Sequence, residues 1–231
     1  MKTAFITGAS GGLGTIVTDR FLHAGWKVYA VTHSAQAKQK LEAQFENFRA
    51  QLSITIADLT RSEAVQAVCQ NLAPLDAVVH LVGGFVGGAS IEEVTESDFV
   101  QMWELNVKTT FLVIRATFPL LKANGGGTIT TIGSKFVLHP AAGTSAYASA
   151  KAALAHLTQT VAEEGRPFGI RANCILPSII RTPANLSWAS ESESQKWITP
   201  EEIAEAILFL SSDAGKGING ALIPMYGKLP A

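Results

Sequence analysis

Three side chains between positions 134 and 151 have the types and spacing of a proton-transfer site: Ser134, Tyr147 and Lys151, in the run SKFVLHPAAGTSAYASAK. Tyr147 and Lys151 stand four residues apart in YASAK, inside an Ala-rich run that reads as helix. At that spacing they share one helical face, a turn apart. An ammonium held beside a phenol favours phenolate and draws the tyrosine pKa down from about 10, each unit being about 1.4 kcal/mol. A phenol tuned this way gives or takes a proton near neutral pH. YxxxK also occurs on ordinary surface helices, so the surrounding elements must decide.

Those elements alternate from end to end. Short β-branched runs at 3–7, 27–31, 53–57, 77–82, 128–132, 170–176 and 221–224 read as strands. Helical patterns fall between them, near 12–24, 35–49, 61–71, 96–123, 145–164 and 200–211. Such alternation implies βαβ units and a parallel sheet with helices on both faces. A length of 231 residues suits one such domain, 1–231, with no repeat, low-complexity tract or linker marking a second. The most loop-like stretch, 183–195, is rich in Ser and Glu and has the length of a lid.

The first strand-to-helix junction reads ITGASGGLG, with Gly8, Gly12 and Gly14 following a strand and opening a helix. Glycines there let the backbone approach a pyrophosphate, and the helix N-terminus adds free N–H groups and positive potential. The alternative is a tight turn with no ligand. The spacing is G-x-x-x-G-x-G.

Taken together, TGxxxGxG at 7–14, Asn106, Ser134, Tyr147 and Lys151 resemble the short-chain dehydrogenase/reductase family along essentially the whole chain. The separation of 13 residues between Ser134 and Tyr147 is also typical of it. The resemblance implies a doubly wound Rossmann fold, seven parallel strands in the order 3-2-1-4-5-6-7. It implies hydride transfer between NAD(H) or NADP(H) and a carbonyl or alcohol, with Asn106, Ser134, Tyr147 and Lys151 catalytic. Carried over residue by residue, the dinucleotide would meet Gly8, Ser10, Gly12, Leu13 and Gly14 in the first loop, and Asp58 and Leu59 after the third strand. Gly83 and Gly84 would follow the fourth, and Pro177, Ile180 and Thr182 the sixth; Tyr147 and Lys151 would also meet it. Asp58 or Thr60 would alternatively cap the helix near Arg61. Asn106 would hold a water linking Lys151 to solvent, or serve as a structural amide.

Cofactor choice should show after the second strand, in VYAVTHS. An acid there would hold a ribose 2′-OH, but Thr32, His33 and Ser34 stand instead. Hydroxyls and an imidazole suit a 2′-phosphate, so NADP(H) is favoured and NAD(H) remains possible. Two departures from the family stand out. HLVGG at 80–84 replaces Asn-Asn-Ala-Gly, removing the asparagine that braces the sheet, and Pro177-Ser178 replaces Pro-Gly.

For substrate, Phe85, Phe136 and Trp188 are expected to line an aromatic, apolar pocket, with Val86, His139 and Trp197 nearby. A carbonyl or 3-oxoacyl reductase is the expectation. VGGFVGG and TPAN locally resemble the dihydropteridine reductase branch, which leaves reduction of a quinonoid pteridine as an alternative. A non-catalytic dinucleotide-binding regulator is the alternative of another class, though it would be marked by loss of Ser134, Tyr147 or Lys151.

In the segment 96–123, Gln101, Glu104, Lys108, Arg115 and Lys122 fall in one polar stripe and most of the remaining circumference is apolar. A helix that apolar must bury more than a sheet-facing side, and the family pairs it with a symmetry mate, so a homodimer or homotetramer is expected. The net charge of -1 gives no electrostatic case for nucleic acid or an anionic membrane as partner. MKTAFITG lacks the three regions of a signal peptide, and Arg115 breaks the longest apolar run. Cys69 and Cys174 lack metal-ligand or CxxC spacing and read as buried thiols, with no metal site. A cytoplasmic protein is expected.

Overall fold

In the computed structural model, which describes residues 1–230, seven parallel strands form one sheet in the order β3-β2-β1-β4-β5-β6-β7. They are β1 (Thr3–Thr7), β2 (Lys27–Thr32), β3 (Leu52–Ile56), β4 (Ala77–His80), β5 (Gly127–Ile132), β6 (Ile170–Pro177) and β7 (Leu222–Met225). Every residue of β1 and β4 is buried, the pattern of central parallel strands covered on both faces.

The helices are α1 (Gly12–His23), α2 (Ala35–Gln44), α3 (Ser62–Cys69), α4 (Glu96–Trp103), α5 (Thr109–Ala123), α6 (Ser145–Gly165), α7 (Pro183–Leu186), α8 (Glu191–Ser194) and α9 (Pro200–Leu210). One core joins α1, α2 and α9 to the sheet through Val17, Phe21, Leu41, Ile203 and Ile207. On the opposite face, Val65, Leu112, Val113, Leu121 and Val161 bring α3, α5 and α6 against Phe5, Val78 and Ile129. Thr199 and Glu202 form a reciprocal capping box that starts α9, with Pro200 in the first turn. Both cysteines are free and buried.

Four sequence expectations change. The run 96–123 is two helices joined by a π turn, Glu104–Lys108, whose Thr109 N–H reaches back five residues to the Glu104 carbonyl. The extra residue shifts the helical phase. Met102, Leu112, Ile114 and Leu121 are buried, whereas Phe99, Val100, Trp103 and Phe111 stay about half exposed. Strand β4 stops at His80, short of the expected 82. Residues 35–49 divide into α2 and a 3₁₀ turn at Glu46–Phe48. The lid stretch carries two short helices, α7 and α8.

The strand order reverses between β1 and β4, opening a crevice at their carboxyl ends. Thr7, His80, Ile132 and Pro177 end the four strands β1, β4, β5 and β6 along that edge.

Candidate active site

The loop after β1 is shaped by close approaches that only glycine permits. Gly8 has φ of 67°, and the N–H of Gly11, three residues on, donates to the Gly8 carbonyl at 3.0 Å. A Cβ on Gly14 would lie 2.0 Å from that same carbonyl oxygen, so α1 begins hard against the loop. A Cβ on Gly12 would lie 2.8 Å from Thr182 Cβ, which places the segment after β6 directly over the loop. Leu13 is buried beneath it.

This loop forms one wall of a cavity of about 610 Å³, lined also by Ser10, Thr32, His33, Asp58, Leu59 and Gly83. A helix N-terminus without an acidic first turn, an open cavity floor and a bare glycine backbone fit a dinucleotide's pyrophosphate and adenosine.

Two expectations at this end are corrected. The Thr32 hydroxyl is buried and donates to the Ser34 carbonyl at 3.2 Å, so its proton is spent inside the corner. Ser34 Oγ accepts from Ala37 N–H at 3.2 Å as the cap of α2, keeping its own proton available. Asp58 caps no helix: its Oδ1 accepts from Thr60 N–H at 3.0 Å and the Thr60 hydroxyl at 2.7 Å, a tight Asx turn, and α3 starts without a side-chain cap. The two Thr60 bonds hold the Asp58 carboxyl below the usual carboxylate range.

At the other end of the crevice, Ser134, Tyr147 and Lys151 converge from the end of β5 and the start of α6. Ser134 is buried, and its Oγ accepts from Phe136 N–H at 3.3 Å. Lys151 is buried and donates to the Ile132 carbonyl at 2.8 Å, which sets its amine 5.8 Å from the centre of the Tyr147 ring.

The electrostatics differ from the sequence expectation. Burial holds the Tyr147 phenol above its ordinary value, and the facing Ser134 hydroxyl offsets only part of that. Lys151 is tied to a strand carbonyl with its amine 5.8 Å from the ring centre, and the net direction for the phenol is set by burial. Burial also lowers the lysine to about 8, with Cys174 pulling it back up. A protonated phenol in an apolar wall is a proton donor in waiting.

Asn106 sits at the middle of the π turn, buried. Its side-chain amide donates to the Met102 carbonyl at 2.9 Å and the Gly84 carbonyl at 3.1 Å, and its Oδ1 accepts from Gly84 N–H at 3.3 Å. A Cβ placed on Gly83 would lie 2.7 Å from Asn106 Oδ1 and 3.1 Å from Lys151 Nζ. Gly83 is therefore the gap through which asparagine and lysine face each other.

The profile of the short chain dehydrogenase family matches residues 2–193. This chain belongs to that family. A 7alpha-hydroxysteroid dehydrogenase of Escherichia coli is 30% identical over 239 residues, covering 98% of this chain and 93% of its own. An uncharacterized oxidoreductase of Bacillus subtilis, YuxG, is 29% identical, and this chain spans only 37% of its length. Among solved structures, a 7 alpha-hydroxysteroid dehydrogenase complexed with NADH and 7-oxo glycochenodeoxycholic acid superposes with a TM-score of 0.89, at 29% identity, covering 98% of this chain and 93% of the other. A blue fluorescent protein from a metagenomic library, in complex with NADPH, gives 0.89 at 28% identity over 100% and 98%. Both nicotinamide dinucleotides thus occur bound to relatives of this dehydrogenase.

Around Tyr147 this short-chain dehydrogenase builds an aromatic wall. The Phe85 ring meets it edge-on at 4.9 Å and the Phe136 ring at 6.3 Å. The Gly88 N–H bonds the Gly143 carbonyl at 2.7 Å, stitching the loop that carries the exposed Phe85 to the approach to α6. Trp188 stays 65% exposed while its partner Trp197, 5.1 Å away, is buried, so only the former is free to meet a substrate. Thr182 packs on Gly12, Ile180 pairs with Ile198, and Pro177 closes β6 beside Met225.

Sequence reasoning missed the supports. Gly11, Leu105 and Thr109 line the cavity. His80, noted only as a departure from the family, spans β1 and α5: Thr7 Oγ1 lies 2.9 Å from its Nδ1 and Thr109 Oγ1 lies 3.3 Å from its Nε2. The imidazole takes over the bracing that the missing asparagine left in doubt. The signal was a polar residue inside an otherwise apolar strand.

Proposed function

We propose that this chain is an NAD(P)(H)-dependent reductase of a neutral carbonyl compound, acting reversibly on the alcohol. The observation that carries this reading is the grouping of buried Ser134 and Lys151 with the part-buried Tyr147, the lysine amine lying against Gly83, which lines the dinucleotide cavity. Bound nicotinamide supplies or takes the hydride.

Tyr147 donates its phenolic proton to the carbonyl oxygen as charge develops there. Ser134 donates a hydrogen bond to the same oxygen, strongest when that charge is greatest. The raised phenol pKa keeps the proton on Tyr147 until it is needed. Lys151 would hold the ribose hydroxyls of a bound dinucleotide and, through a water beside Asn106 Oδ1, would exchange protons with solvent. The second lone pair of that oxygen would serve the water, since both amide protons of Asn106 are spent on Met102 and Gly84.

His33, Ser34 and Ser10 would meet a 2′-phosphate, and no acid at that corner repels one; this supports NADP(H) over NAD(H). The rings of Phe85 and Phe136 face Tyr147, and the cations nearest in sequence, Lys135 and Arg181, stand beside Ser134 and Thr182. The aromatic wall supports an uncharged ketone as substrate, with a 3-oxoacyl thioester the second reading.

The half-exposed Phe99, Val100, Trp103 and Phe111 on α4 and α5 support a homo-oligomer. Light scattering on Trp103→Glu/Phe111→Glu should give a smaller mass than the parent chain, and a monomeric parent would end that part of the proposal. No described helix is long and apolar enough to cross a membrane.

The function is tested by following NADPH and NADH absorbance with aryl ketones, acetoacetyl thioesters and quinonoid pteridine. Faster turnover of a ketone with NADPH is expected. Binding of NADPH with no turnover of any of the three classes would mark a dinucleotide-binding regulator instead.

A further inference from the structure

The imidazole of His80 lies at the end of a hydrogen-bonded chain whose direction can be read from its ends. The Thr109 hydroxyl donates to the Leu105 carbonyl at 2.6 Å, so its one proton is committed inside the π turn. At the contact with His80 it can therefore only accept, and the proton between them belongs to Nε2. A neutral imidazole protonated at Nε2 has a lone pair at Nδ1, which takes the proton of Thr7. The Thr7 oxygen in turn accepts from Leu81 N–H at 3.3 Å. The chain runs one way, from Leu81 N–H through Thr7, His80 and Thr109 to the Leu105 carbonyl, with no group left over.

The far end of this chain is the π turn itself. A widened turn weakens the ordinary backbone bonds of the carbonyls it displaces. Here the hydroxyls of Thr109 and Thr110 take the carbonyls of Leu105 and Asn106, both at 2.6 Å, and the Asn106 amide takes that of Met102. The turn is what swings Asn106 inward, where it grips both the N–H and the C=O of Gly84 and faces Lys151 across Gly83.

We infer that His80 is a positioning residue for the active site. Donating from Nε2 to Thr109, it ties the end of β4 to the π turn and so holds Asn106 on Gly84 and opposite Lys151. His80 touches no reacting atom. The inference goes beyond the proposed reaction and survives a wrong substrate assignment, because its test needs no turnover.

The test uses the full chain with and without NADPH. In wild-type protein labelled with ¹⁵N at histidine, the His80 ring should show a protonated Nε2 and an unprotonated Nδ1. The opposite tautomer, or a doubly protonated ring near neutral pH, would overturn the inference. Amide hydrogen exchange at Gly84 is the second readout. His80→Phe, a ring without the Nε2 donor, should speed Gly84 exchange at least tenfold while core amides of β1 and β6 keep their protection, and unchanged exchange in it would overturn the inference. Thr109→Val, which loses the acceptor together with the bond to the Leu105 carbonyl, should loosen Gly84 at least as strongly. Thr109→Ser should restore it. If Val and Ser behave alike, or if Gly84 loosens only in step with the whole core, His80 braces the sheet and does not position Asn106.

Discussion

Acidifying the protein should expose the cost of keeping His80 neutral. The imidazole is buried between Thr7 and Thr109, and burial, seconded by the Lys151 ammonium, lowers it from 6.5 to about 3. Thr7 and Thr109 carry no charge, so no carboxylate compensates. The sign follows from proton counting. Between pH 6.5 and about 3, the unfolded chain binds a proton that the folded one refuses, so stability falls as pH falls through that window. The full loss is about 5 kcal/mol, of which about 2 kcal/mol has accrued by about pH 5. Asp58, Glu93, Glu163 and Glu202, all held low by hydrogen bonds, add to acid lability but not through this site. Comparison with His80→Asn, which does not titrate, cancels them. Urea unfolding of both proteins near neutral pH and near pH 5 gives the two free energies. Wild type should lose about 2 kcal/mol more than the variant on acidification. An equal loss in both proteins would show that the ring is not held neutral by its site.

Tyr147→Phe should lower turnover at least about a hundredfold with NADPH affinity, read by fluorescence, nearly intact; unchanged turnover removes the proposed acid. Lys151 is lowered to about 8, so the unfolded chain binds the extra proton between there and 10.5 and stability climbs with pH across that range. Lys151→Met should abolish that climb, worth roughly 3 kcal/mol, in chemical denaturation at alkaline pH, and a parallel slope in both proteins would contradict it. Gly14→Ala meets a carbonyl oxygen at 2.0 Å and should cost at least about 3 kcal/mol or prevent folding, whereas Gly217→Ala meets nothing within 4 Å and should be neutral or slightly stabilising. Thermal melting of the two variants checks the pair, and a stable Gly14→Ala would mean that α1 can retreat from the loop.

The seven strands and the shared helical face of Tyr147 and Lys151 were legible in the chain because each rests on local pattern, whereas the strand order and the place of Ser134 beside them came only with the family resemblance. Apolar runs make buried strands, Ala-rich period makes α6, and four residues make one turn. The π turn was not legible, since 96–123 carries no Pro or Gly before Pro119 to announce a break. What makes the turn is Asn106, Thr109 and Thr110 reaching carbonyls, and nothing in a helical wheel separates those roles from ordinary buried polar residues.

What the sequence determined alone is the set of chemical groups and the spacing of Tyr147 and Lys151 on one helix, for covalent spacing and periodicity carry that much. Tertiary structure decided their charge states. Whether a phenol is acid or base depends on how much water it loses and on where a neighbouring amine is tethered, here to the Ile132 carbonyl from another element. Likewise His80 acquired a role only when β1 and α5 closed around it from 73 and 29 residues away. Desolvation and long-range hydrogen bonds belong to the folded space, and no spacing along the chain contains them.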